Sequence, residues 1–174
     1  MNKTLDGIGR NALVEFIRHA NAVPAKVDTG ADSSAVWATN IYMDTDHRLH
    51  FVLFGQESPF YTGQEVVTDE YSVSRVRSSS GHSQIRYRVP LSVRVAGRRV
   101  RATFTLADRS KNIFPVLIGR RTLAGRFVVD VSRSECDESA TGKTRRLNTE
   151  LRKDPYAFYK KYHHNGTNDD KVKK

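Results

Sequence analysis

The chain is nearly without cysteine. Its 174 residues hold one, Cys136, which excludes an intrachain disulfide framework and a cysteine-built zinc cage. Long apolar runs are missing too. The longest uncharged ones, such as Phe51 to Gly55 and Ile113 to Gly119, are too short for a transmembrane helix. Met1 to Arg10 has no apolar h-region, so no secretory signal is expected. These absences predict a soluble, cytoplasmic protein with no membrane partner. His-Glu-x-x-His is absent. His19, His47, His50, His82, His163 and His164 show no ligand spacing joined to acidic partners, so no metal is expected. The phosphate-cradling pattern G-x-x-x-x-G-K-[ST] is absent as well, and no cofactor is expected. Cys136 stands in a polar segment without a nearby histidine, which argues against a thiol nucleophile.

Positive charge is what the chain has in excess. Lys and Arg number 29 against 19 Asp and Glu, a net charge of +10. Residues 141–174 hold ten basic and four acidic residues, a net of +6, and the remaining 140 carry +4. A solvated basic tail accounts for this. So does attraction to an acidic partner, whether nucleic acid, a membrane surface or an acidic peptide. A second basic stretch comprises Arg86, Arg88, Arg94, Arg98, Arg99 and Arg101. Its spacing is mostly that of the outer face of strands.

Apolar segments recur at short intervals with turn residues between them. Strands are expected at Ala12 to Ile17, Val23 to Val27, Val36 to Ile41 and Leu49 to Phe54. Residues 55–64 read as a loop, and Glu65 to Arg77 alternates loosely. Ser78 to Gly81 is a turn signal. Gln84 to Val89 and Leu91 to Val95 are strand-like, and Pro90 between them predicts an edge or a bend. Ala96-Gly97-Arg98 is a tight turn joining Arg99 to Leu106 into a hairpin. Phe114 to Ile118 reads as a strand buried on both faces. Arg121 to Ala124 reads as a helical turn stopped by Gly125, and Phe127 to Val131 as a last strand. This pattern predicts an all-β domain ending near Ser132. A polar linker follows. Leu147 to Tyr162 has the spacing of an amphipathic helix interrupted at Pro155.

Two local features carry chemistry. Asp28-Thr29-Gly30 follows a strand and puts a carboxylate on a Gly-containing turn, although an Asx-type turn uses the same residues. Val116 to Gly119 followed by Arg120 also ends an apolar strand in glycine, as does any buried strand with a Gly exit. Their order matters more than either alone. Asp28-Thr29-Gly30-Ala31-Asp32, a Ser/Gly-rich hairpin tip within Arg77 to Gln84, and Ile118-Gly119-Arg120 together resemble the retropepsin-like aspartic proteases. The resemblance is closer to one bacterial and archaeal branch, formerly called "ATP-dependent zinc protease" and associated with glutamate-ligating (RimK-type) enzymes. That branch looks like Asp-Thr-Gly-Ala-x-Thr/Ser-Ser-Ala, Arg-Ser-Ser-Ser-Gly-His, Asp-Arg-Ser and Phe-Pro-x-Leu-Ile/Leu-Gly-Arg. The corresponding blocks here are Asp28 to Ala35, Arg77 to His82, Asp108 to Ser110 and Phe114 to Arg120. Leu123 to Phe127 and Asp130 to Arg133 continue the match. Position 32 is Asp where the branch often has a basic residue, and Trp37 stands where a His is usual.

The resemblance covers residues 8–133 and leaves 134–174 as a basic, partly helical or disordered tail. It implies a closed β-barrel with a flap hairpin and one short helix. It also implies an aspartic endopeptidase in which Asp28, Thr29 and Gly30 form the catalytic turn. Ala31, Asp32, Ser79, Ser80, Gly81 and His82 would face substrate, the last four from the flap, although plain solvent exposure accounts for His82 equally. Gly119 and Arg120 would support the turn and the dimer, with Asp32 and Arg120 as an ion pair. Two carboxylates sharing a proton are needed around one water. The chain has one Asp-Thr-Gly, so the resemblance implies a homodimer with Asp28 from each protomer meeting at the two-fold axis. An acidic or glutamylated peptide or protein fits the basic surface as substrate. The alternative is a catalytically weak binding or regulatory module, its basic surface turned to RNA, a ribosome or a ligase partner.

Overall fold

The computed structural model describes residues 4–77, 83–136 and 140–163, with backbone alone at 77, 140–145 and 163. These fall into two compact units, one up to residue 137 and one from 138. Among the described residues no helix is long and apolar enough to cross a membrane.

The first unit is a closed β-barrel. Its six strands are β2 (Asn11–Phe16), β3 (Ala20–Asp28), β4 (Ser34–Met43), β8 (Ser83–Val95), β9 (Arg98–Ala107) and β10 (Val116–Gly119). They run in the order β10-β3-β2-β8-β9-β4, and a further pairing of β4 with β10 closes the ring. Closure leaves no free edge around the core. Period-2 alternation sets which residues enter it. Val23, Ala25 and Val27 of β3, Val89, Leu91, Val93 and Val95 of β8, and Val100, Ala102 and Phe104 of β9 are all buried. Phe16 is packed edge-on against Phe54, with ring centroids 5.9 Å apart, and tilted against Phe104 at 5.5 Å. Trp37 joins the same core, an apolar ring where the resembling branch has histidine.

The predicted hairpin between β8 and β9 is present, with Ala96 at φ 46° and Gly97 at φ 77°. Two successive left-handed residues make a type I′ turn, whose twist matches that of the strands it joins. Pro90 does not break β8, which runs unbroken from Ser83 to Val95. Its reading as an edge is right on one flank only. β7 (Ser72–Arg77) pairs with β8 as far as Ser72 opposite Arg88, and β2 takes over where the Ile17 N–H donates to the Ser92 carbonyl. Pro90 lies in the gap between them, and its other flank pairs with Thr103. A missing N–H costs nothing at such a gap.

The loosely alternating stretch after residue 64 resolves into β6 (Glu65–Thr68) and β7, separated by a turn. β5 (Leu49–Leu53) and β6 extend the sheet beyond β4. A short β1 (Asp6–Gly9), invisible in the hydrophobic pattern, pairs in parallel with β11 (Phe127–Asp130). The short helix α1 (Arg120–Leu123) follows β10 directly, and Gly125 after it has φ 69°. Ser134 to Cys136, polar in sequence, are tied to buried Asn11. Its Nδ2 donates to Ser134 Oγ at 2.8 Å, and its Oδ1 accepts the Glu135 and Cys136 N–H groups.

The second unit holds two helices, α2 (Ala140–Lys153) and α3 (Pro155–His163). They meet where the sequence places Pro155. Asp154 caps α3, its Oδ1 accepting the N–H groups of Tyr156 and Ala157, with proline at the first helical position. Glu150 on α2 joins Lys161 and Tyr162 on α3.

Candidate active site

Asp28 is the last residue of β3, and β10 lies parallel to that strand with Gly119 directly opposite Asp28. The two motifs, 90 positions apart in sequence, therefore end side by side. The Asp28 Oδ1 accepts the N–H groups of Gly30 at 3.0 Å and Ala31 at 3.1 Å. This is the Asx-type turn that the residues also predicted, so that geometry and a poised carboxylate coexist. The Oδ2 atom lies 3.5 Å from the Lys26 ammonium, and the Asp28 side chain remains 28% exposed. Thr29 is exposed beside it.

The loop after Asp28 is stapled to the β10–α1 junction. Arg120 N–H donates to the Ala31 carbonyl at 2.8 Å, and Arg121 N–H to the Asp32 carbonyl at 3.2 Å. Gly119 N–H donates to Ser34 Oγ, which bonds the Thr122 hydroxyl at 2.7 Å in a buried pair. Asp32 meets Arg120 at 3.1 Å, and it meets Arg121 as well, at 2.9 Å. Desolvation pushes the Asp32 carboxyl up. The Arg121 and Arg120 guanidiniums outweigh it and hold the group below its ordinary value. A basic residue at position 32 would turn both contacts repulsive. Asp32 is thus placed to hold the loop after Asp28 against the β10–α1 junction.

The arms of the flap are present: β7 and β8 pair antiparallel down to Arg77 opposite Ser83. Ser79, Ser80, Gly81 and His82 lie outside the described residues.

Sequence reading assigned no role to Arg109, although it sits in the Asp108 to Ser110 block. Its Nε donates to the Phe114 carbonyl at 3.2 Å. Burial, and after it Arg86, lowers its guanidinium below the usual range against the opposing effect of Asp28; an arginine so shifted still carries its charge at neutral pH. Arg109 therefore lies within electrostatic reach of both the Asp28 carboxylate and Arg86. The signal available in sequence was a lone arginine in a short loop, and only the barrel brings it to the turn.

A polar cluster stands apart from this turn, on the β4–β5–β6 extension. His50 Nε2 lies 2.9 Å from Asp44 Oδ2, and His50 Nδ1 lies 3.2 Å from Glu65 Oε2. Tyr42 stacks on the imidazole at 4.5 Å, and Arg48 also holds Asp44. Among the described residues no group of three or more His, Cys, Asp or Glu is placed to hold a metal ion. Chiefly the hydrogen bond to Asp44, and after it Glu65, raises the His50 pKa against the opposing effect of desolvation. Asp44 is held well below its ordinary value, first by His50, and Glu65 is lowered likewise. The sign follows from linkage. The His50 contribution to stability is complete below the unfolded histidine value and is lost as pH rises through the higher folded one. The carboxylate contributions are present above their unfolded values and are lost on acidification. His50 is expected to titrate above 6.5 by NMR. The His50→Gln variant is expected to lose the fall in melting temperature that wild type shows on the alkaline side of that titration. A His50 that titrates below 6.5 would contradict the cluster.

Residues 8–139 match the sequence profile of the family described as RimB-like, retropepsin-like aspartic endopeptidase RimB. A probable alpha-L-glutamate ligase of Shewanella pealeana is 28% identical over 119 residues, 66% of this chain and 26% of the relative. Its counterpart in Shewanella halifaxensis is 26% identical over the same shares. The chain thus spans about a quarter of the length of these curated relatives. A solved structure from Legionella pneumophila, the protein Lpg0085 of unknown function, aligns with TM-score 0.59 at 20% identity. The alignment covers 75% of this chain and 97% of that one, a likeness of fold.

Proposed function

The chain belongs to the RimB-like family of retropepsin-like aspartic endopeptidases, and on that premise we propose that it hydrolyses peptide bonds as a homodimer. The observation that carries this reading is the partly exposed Asp28 carboxylate, anchored through one oxygen by two backbone N–H groups beside Gly119. Asp28 of the partner subunit supplies the second carboxylate. One of the pair is ionised and takes a proton from the bound water. The other is protonated and donates to the carbonyl oxygen of the scissile bond. The water oxygen bonds to the carbonyl carbon; the proton held by the first carboxylate then passes to the leaving amine as the C–N bond breaks, and the second carboxylate recovers its proton from the diol. Gly30 and Ala31 hold the carboxylate, Thr29 braces the facing loops, and Asp32 with Arg120 and Gly119 keeps the turn in place. Ser79, Ser80, Gly81 and His82 close over the substrate from the flap and exclude water. In this reading residues 8–133 are the peptidase domain, and 134–174 are an accessory basic tail.

The substrate is an acidic segment, such as a glutamate-rich peptide. Half-buried Arg109, within electrostatic reach of Asp28 and Arg86, supports this, because a charge-assisted pair with a carboxylate strengthens as water is excluded. Relatives named as glutamate ligases support it as well. Incubation with an oligoglutamate-bearing peptide, read by mass spectrometry, tests the activity, and light scattering tests the dimer. Cleavage by a dimeric species is expected. A protein that stays monomeric while it cleaves would overturn the shared site. Arg109→Gln is expected to raise KM for the acidic peptide about tenfold, the scale of one charge-assisted contact, with kcat little changed. Equal losses on acidic and neutral peptides would remove Arg109 from recognition.

A further inference from the structure

Four arginines converge on a cavity of about 210 Å³ on the barrel wall, lined by Arg88, Arg101, Arg121 and Arg126 together with Thr103 and Ser33. The lining includes neither Asp28 nor Arg109, although Ser33 and Arg121 belong to the loop and helix that hold the Asp28 turn. Three of the arginines have partners. Arg101 is paired with Glu70, and Arg121 with Asp32. Arg126 donates through Nη1 to the carbonyls of Arg121, Thr122 and Ala124. Arg88 differs. Its Nε is buried and has no hydrogen-bond partner. Among the described residues Arg88 also makes no ion pair. A guanidinium N–H taken from water without an acceptor is costly, and this fold keeps one where three other guanidiniums gather.

Charge counting identifies what would complete the site. Four guanidiniums face two carboxylates, Glu70 and Asp32, and Asp32 is shared with Arg120. The surroundings of the cavity are left about two charges positive. A carboxylate side chain would balance half of that, and a phosphate group all of it. Forked N–H donors match tetrahedral oxyanions, and hydroxyl groups such as those of Thr103 and Ser33 complete such sites.

We propose that this cavity is a phosphate-binding site, with Arg88 as its central donor, for a phosphate dianion either free or as the terminal group of a larger molecule. The proposal does not depend on the peptidase reading. Occupancy gives the Arg88 guanidinium group a charged partner and competes with Asp32 for Arg121.

The test is calorimetric titration and thermal shift on the full chain with inorganic phosphate, against chloride at matched ionic strength. A saturable, phosphate-specific stabilisation is expected in wild type. Arg88→Gln is expected to weaken binding at least tenfold. Arg88→Lys, which keeps the charge but loses the fork, is expected to fall between. Arg99→Gln, an equal loss of charge on the exposed side of β9, should bind as wild type does, which separates the site from general attraction to a basic protein. A phosphomonoester such as AMP forms the second arm. Tighter binding of AMP than of phosphate assigns the site to a terminal phosphate group, and binding of phosphate alone assigns it to the free ion. Equal stabilisation by chloride and phosphate would overturn the proposal. So would a folded Arg88→Gln protein that binds phosphate with wild-type affinity.

Discussion

Asp28→Asn is expected to abolish peptide hydrolysis while leaving the fold intact. The Asn side-chain oxygen can still accept the Gly30 and Ala31 N–H groups that hold Asp28 Oδ1, so the turn keeps its geometry. What disappears is proton transfer, because an amide neither takes a proton from water nor shares one with a facing carboxylate. Loss of an acid–base group of this kind costs about 10²–10⁴-fold, and in a symmetric pair both copies vanish together. The rate is therefore expected at the bottom of that range or at background, with an unchanged melting temperature. Mixing adds a sharper arm. With an equal amount of the variant and free exchange of protomers, a shared site predicts about half the activity the wild-type protomers show alone, since half of them sit in dead heterodimers. Undiminished activity after proven exchange would mean that each protomer works by itself. An Asp28→Asn protein with full activity would overturn the role of Asp28 in hydrolysis.

Gly119→Ala is expected to damage both stability and activity. A Cβ at this position would lie 2.5 Å from the Ser33 carbonyl carbon, 2.6 Å from its oxygen and 3.0 Å from the Ala31 oxygen. All three are backbone atoms of the loop that follows Asp28, and they have no rotamer to swing away. The φ of Gly119 is −88°, so the requirement for glycine comes from close approach and not from backbone handedness. Relief requires β10 to separate from that loop. Such movement strains the Gly119 N–H bond to Ser34 and the Arg120 N–H bond to Ala31. Overpacking against an unyielding neighbour costs about 3 kcal/mol. Urea unfolding is expected to show that loss in the midpoint, and peptidase activity is expected to fall even where the variant is fully folded. Wild-type stability would mean that the loop is free to retreat, and that the staple is not what orients Asp28.

Much of the barrel was legible residue by residue. Alternation places Val89, Leu91 and Val93 on one face whatever their partners are. The Ala96-Gly97 turn specifies its hairpin locally, and Asp28 followed by Gly30 specifies its own turn. β1 was illegible because Asp6-Gly7-Ile8-Gly9 carries no alternation, and its strand character comes from pairing with Phe127 to Asp130. Pro90 misled for a related reason. Its effect depends on whether a neighbour stands opposite its missing N–H, and that neighbour is chosen by sheet topology.

The same division runs through the site. The face of each strand residue, the carboxylate on a Gly turn, the order of the motif blocks and the excess of arginine are all readable along the chain, since each depends on residue types and near neighbours alone. Tertiary structure decided that Gly119 stands beside Asp28, that Arg109 lies within electrostatic reach of both Asp28 and Arg86, and that the Arg88 Nε is buried without a hydrogen-bond partner. It also decided that Arg94, Arg98 and Arg101 are paired with Glu15, Asp6 and Glu70. Those facts follow from closing six strands into one ring, with β10 set between β3 and β4. Ring closure joins residues up to about a hundred positions apart, and no local periodicity records which of them will meet.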